Sequence, residues 1–106
     1  MPAANFRLLL VTDRTQTGGR SLPTLIREAV NAGLPAIQLR ERDLPTGELL
    51  PLLQEIQLIL TPRAVPLIVN DRVDLMMALD LDGVHLRSDS LPTYPVRTLI
   101  GPRRLV

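Results

Sequence analysis

In Ala36-Ile37-Gln38-Leu39-Arg40-Glu41-Arg42 an apolar run gives way to alternating polar residues. The run, Ala36–Leu39, is too short for an ordinary helix and reads as a strand. Strand side chains alternate between faces. Ile37 and Leu39 therefore share one face, suited to packing against helices. Gln38 and Arg40 share the other, and Arg42 joins them if the strand stays extended. An amide inside an apolar strand needs hydrogen-bond partners, so Gln38 points to a polar cluster on the second face.

Three similar runs occur at Leu8–Val11, Leu67–Val69 and Gly83–Leu86. Segments of helical spacing separate them. The first runs from Ser21 to Ala32, with Ser21 as cap, Pro23 in the first turn and Gly33 as terminator. Its stripe is Leu22, Leu25, Ile26, Ala29 and Val30. The second spans Thr46 to Leu60, with Leu49, Leu52, Leu53, Ile56 and Ile59 or Leu60 inward, and Pro62 closes it. A short third, Arg72 to Leu79, offers Val73, Met76, Met77 and Leu79 for burial. A fourth covers Pro92 to Leu99, and a last strand begins at Arg103–Val106.

Strands alternating with helices predict an α/β fold with parallel strands. About four βα units fit the chain, a TIM-barrel-like half or truncated barrel. No linker interrupts it, so residues 1–106 read as a single domain. Thr17-Gly18-Gly19 lacks the spacing of a dinucleotide fingerprint or a P-loop.

Composition narrows the function classes. A net charge of +1, two aromatic residues (Phe6 and Tyr94) and no basic run argue against nucleic acid. No apolar run reaches the roughly 18 residues of a membrane span, and Met1 to Arg7 lacks a signal-peptide pattern. Cysteine is absent, which removes disulfides and thiolate chemistry. A cytoplasmic protein is the default expectation.

Barrels of this kind place their sites at the C-terminal ends of the strands. Gln38, Arg40 and Arg42 belong to that rim, together with Asn70, Asp71, Gly83 and His85. Paired arginines suit phosphate or carboxylate. Asp71 suits a hard cation such as Mg²⁺. Plainer roles compete: Asn70 or Asp71 as caps of the third helix, Arg40 and Arg42 in surface ion pairs with Glu41, Asp43 or Glu48, and His85 as a hydrogen-bonded core histidine. Asp13-Arg14 and Asp71-Arg72 read equally as surface ion pairs.

Four stretches, in order, carry a family resemblance. They are Leu9–Arg14 (LLVTDR), Gln38–Asp43 (QLRERD), Val65–Asp74 (VPLIVNDRVD) and Asp82–Leu86 (DGVHL). The chain resembles the N-terminal half of thiamine phosphate synthase and its relatives, the thiazole tautomerases. The resemblance implies coupling of an aminopyrimidine pyrophosphate with a thiazole phosphate, releasing pyrophosphate. It implies that Gln38, Arg40, Arg42 and Asn70 contact the pyrimidine pyrophosphate and that Asp71 holds Mg²⁺.

Three departures qualify the resemblance. Arg42 stands where the family usually has lysine. After the fourth strand the family's Gly-Gln-Glu-Asp becomes Arg87-Ser88-Asp89-Ser90, so Ser90 takes the place of a second metal ligand, and Asp89, one residue early, is the candidate Mg²⁺ ligand in its stead if the loop shifts. The chain also has 106 residues, against about 250 for a full barrel. Besides an incomplete synthase, two alternatives are therefore expected: a tautomerase-like isomerase, or a non-catalytic half-barrel that self-associates as a homo-oligomer.

Overall fold

The computed structural model describes residues 5–106. Residues 1–4, part of the stretch read above for a signal sequence, lie outside them. Four strands, β1 (Leu10–Val11), β2 (Ile37–Leu39), β3 (Leu67–Asn70) and β4 (Gly83–His85), form one parallel sheet in the order β1-β2-β3-β4. Between and after them run α1 (Leu22–Asn31), α2 (Thr46–Leu60), α3 (Val73–Leu79) and α4 (Thr93–Ile100).

The helix ends follow from local chemistry. Ser21 Oγ accepts the Thr24 N–H at 3.3 Å and caps α1. Gly33, at φ +104°, turns the chain away afterwards, where a side chain would be strained. Helix α2 has the bounds expected from its stripe, although Pro51 lies inside it.

Adjacent parallel strands in sequence order, whose crossovers share one hand as a rule, put every helix on one face. There is no switch point in strand order, which sets the sheet apart from doubly wound folds. Register explains the core. Ile37 pairs with Leu67, and Leu39 aligns with Val69 and then Val84, so these five form one apolar face. They pack with Ile26, Val30, Leu53, Ile56, Met76 and Val96 from the four helices. The opposite parity carries Gln38, Ile68 and Gly83.

Several expectations need correction. Strand β1 is shorter than Leu8–Val11, and Leu8 is exposed, because an edge strand has a neighbour on one side only. Met77 is 45% exposed, while Leu75 is buried in its place. A helix of two turns has one narrow inward stripe, and here Val73, Leu75 and Met76 fill it. The expected last strand amounts to a parallel bridge between Leu105 and Gly83. The sheet is not closed. No helix among the described residues is long and apolar enough to cross a membrane.

Candidate functional site at the strand ends

Thr12, Gln38, Glu41 and Asn70 are the buried polar residues among those described. All lie at the C-terminal ends of β1, β2 and β3 or just beyond. Burying polar groups is costly unless they are partnered, so their clustering marks this rim.

One group is a clamp. Glu41 Oε2 accepts Thr12 Oγ1–H at 2.6 Å, and Oε1 accepts the Arg14 backbone N–H and Nη1, both at 3.0 Å. Arg14 also grips Asp43 with two nitrogens, at 2.7 and 2.8 Å. That fork holds the Asp43 carboxyl below its ordinary range, and Asp43, then Glu41, raise the Arg14 guanidinium above its own. The ion pairs foreseen between Arg40 or Arg42 and these carboxylates are therefore not formed. Among the described residues neither guanidinium has a carboxylate partner.

The second group is an amide cluster. Asn70 Nδ2 donates to Gln38 Oε1 at 3.2 Å, and His85 Nδ1 lies 3.2 Å from the same oxygen. Since that carbonyl oxygen only accepts, the arrangement calls for a proton on Nδ1. Asn70 Oδ1 is buried without a partner. His85 is exposed rather than a core residue, because β4 ends there and its ring projects from the rim.

The third group surrounds Asp71. This residue has φ +66°. It is the centre of a three-residue turn closed by the Arg72 N–H and the Asn70 carbonyl at 2.7 Å, the rarer left-handed form of the γ-turn. The turn throws the carboxylate toward the β4 loop. There Arg87 Nη2 donates to Oδ2 at 3.1 Å, and Ser90 Oγ makes a short bond to Oδ1. Neither Asn70 nor Asp71 caps α3, which starts without a side-chain cap. Arg72 pairs with Asp74 rather than Asp71, and that contact lowers the Asp74 carboxyl.

These elements frame a small cleft of about 60 Å³ whose polar lining is Glu41, Arg42, Asn70, Asp71, Arg72 and Arg87, with leucines and Val69 completing it. Arg42 reaches it from a turn, since β2 stops at Leu39 and does not continue extended. Arg40 lies apart, lining an adjoining hollow with Asp13, Arg14 and Arg42. Asp89 is mostly exposed, 3.4 Å from Arg87 Nε. Sequence reasoning missed the roles of Thr12, Arg14, Glu41 and Arg87. The first three were discoverable only by counting along the β1–β2 register.

As placed, this set does not fit a divalent cation. Asp71 offers one carboxylate, with both oxygens engaged, and a guanidinium already stands beside it. Among the described residues no three carboxylate or histidine groups gather into a metal-binding cluster.

An open parallel sheet with all its helices on one face and its polar residues at the strand C-termini defines a (βα) barrel-type α/β protein. The chain belongs to the thiamine monophosphate synthase family, whose model matches residues 8–106. It is 40% identical over 105 residues to a thiamine-phosphate synthase of Roseiflexus sp. (strain RS-1), covering 99% of this chain and 44% of that protein. It is 41% identical to that of Syntrophomonas wolfei subsp. wolfei, covering 100% and 51%. A solved thiamine phosphate pyrophosphorylase from Pyrococcus furiosus superposes with a TM-score of 0.81 at 28% identity, over 92% of this chain and 46% of that one. The chain thus spans about half the length of the curated relatives it matches.

Proposed function

We propose that this chain supplies the part of a thiamine-phosphate synthase that grips the aminopyrimidine pyrophosphate, the partner of a thiazole phosphate in the coupling that releases pyrophosphate. The supporting observation is the buried Asn70 amide, tied to Gln38 on one side and left with an unpartnered oxygen at the rim. A buried polar atom without a partner costs about 1–3 kcal/mol, which a ligand donor such as an exocyclic amine would offset. Arg42 and Arg87 flank it and suit the pyrophosphate, with Arg40 at the outer edge. Departure of a highly charged group depends on preorganised positive charge. Ligands of this kind are phosphorylated metabolites, so a cytoplasmic setting accompanies the proposal.

Calorimetry with the aminopyrimidine pyrophosphate tests it. Saturable binding that weakens in Asn70→Ala and in Arg42→Ala is expected. No heat at millimolar ligand would remove the proposal.

A thiazole tautomerase-like role is a second reading, favoured by the Ser90–Asp71 hydrogen bond. Proton transfer on a thiazole carboxylate phosphate releases no pyrophosphate. Tighter binding of that ligand than of the pyrimidine would select it.

A further inference from the structure

We propose that Arg87 serves Asp71 as a resident cation in place of a divalent metal, so that the rim takes a phosphate or pyrophosphate group directly on guanidinium N–H groups.

The contacts around Ser90 carry the inference. Its hydroxyl accepts the Arg87 backbone N–H at 2.9 Å and donates to Asp71 Oδ1. The Ser90 N–H returns to the Arg87 carbonyl at 3.1 Å, closing the turn. The loop thereby folds back on itself and presses the Arg87 side chain onto Asp71 Oδ2. A metal at Asp71 would have to displace both partners and then sit beside a fixed positive charge. Arginine stays protonated at any working pH, so this competitor is never neutralised. Asp89, the other carboxylate in the loop, faces Arg87 rather than Asp71.

The arginines of the cleft, Arg42 above all, point to an anion as the ligand. Arg87 Nε is buried and makes no hydrogen bond, the Asp89 carboxylate standing 3.4 Å away. Among the described residues Arg42 has no carboxylate partner, because Arg14 occupies both Glu41 and Asp43. The cleft therefore presents Arg42 without a carboxylate partner, beside Arg72 held by Asp74, Arg87 held by Asp71 and Asp89, and a Glu41 already neutralised by Arg14. Planar guanidinium forks match phosphate oxygens in pairs.

The inference rests on the phosphate-binding role proposed above, and one experiment separates the two. Inorganic pyrophosphate is titrated into the 106-residue chain by calorimetry, in EDTA and in excess Mg²⁺, with circular dichroism confirming the fold of each variant. Wild type is expected to bind equally well in EDTA. Arg87→Ala should weaken binding in EDTA about tenfold or more, the loss of one charge-assisted hydrogen bond, and Arg87→Lys should restore part of it. Asp71→Asn should tighten binding, because it frees Arg87 and removes a negative charge. Binding that requires Mg²⁺ in wild type, or that is lost in Asp71→Asn, overturns the inference alone. No binding in either buffer overturns the inference and the phosphate-binding role together.

Discussion

Arg14 stands beside Glu41 in the loops that follow β1 and β2, at the same sequence offset as the paired residues of the two strands. Leu10 aligns with Ile37 and Val11 with Gln38, a separation of 27 residues, and Arg14 and Glu41 are also 27 apart. The loops after β1 and β2 are thus locked in the register of the sheet beneath them. The lock has a consequence for the site: with Arg14 occupying both carboxylates, Arg40 and Arg42 keep their charge for other partners.

Glu41 is 4% exposed and accepts bonds from Thr12 and twice from Arg14. Replacing it with alanine leaves those donors short of an acceptor. Glu41→Ala should lower unfolding stability by about 2–3 kcal/mol, read from chemical denaturation. Asp43→Asn, on the exposed side of the same arginine, should cost much less. Equal losses would show that burial is not what distinguishes the two.

Acid should weaken the fold in a defined window. Asp43 and Asp74 lie below their ordinary value of 3.8, held there by Arg14 and Arg72 respectively. A carboxyl whose pKa is lower in the folded state binds fewer protons there than in the unfolded chain. Its contribution is complete above the ordinary value and is lost as pH falls through the folded one. The melting temperature should therefore hold down to about pH 5 and fall below about pH 4. Replacing both aspartates with asparagine should flatten that decline.

Gln38 and Asn70 should behave as a coupled pair. They bond at 3.2 Å in a buried setting, with His85 on the same oxygen. In a double-mutant cycle built on Gln38→Ala and Asn70→Ala, a coupling of about 0.5–1.5 kcal/mol is expected. Additive losses would mean the amides do not hold one another.

Gly83 is needed for the Leu105 bridge. A Cβ there would lie 2.6 Å from Leu105 Cβ and 2.7 Å from its carbonyl oxygen. That carbonyl accepts the Val84 N–H at 3.0 Å, and the Leu105 N–H donates to Asp82 at 2.9 Å. Gly83→Ala should cost about 1–3 kcal/mol and release the amides of Val84 and Leu105 to hydrogen exchange. Unchanged protection at both would contradict this.

Much of the fold was readable along the chain. The leucine and isoleucine spacing of α2 marked Thr46–Leu60, and Ser21, Pro23 and Gly33 marked α1. Parity in β2 separated Ile37 and Leu39 from Gln38, and the same rule put Asn70 with Gln38 once the strands paired. Arg42 was harder. The extended path that would have aligned it with Gln38 ends at Leu39, and a turn brings it to the cleft instead. The pairing of Asp71 had no local signal, because its partners Arg87 and Ser90 lie 16 and 19 residues away.

The division between the two levels has a physical origin. Side-chain alternation and helical periodicity are properties of neighbouring residues, so the sequence alone was enough to put Gln38, Asn70 and Asp71 at strand ends. Which charges cancel depends on register and loop path, and neither is local. Only the folded chain could therefore assign Arg14 to Glu41 and Asp43, leave Arg42 unpaired, and set Arg87 against Asp71.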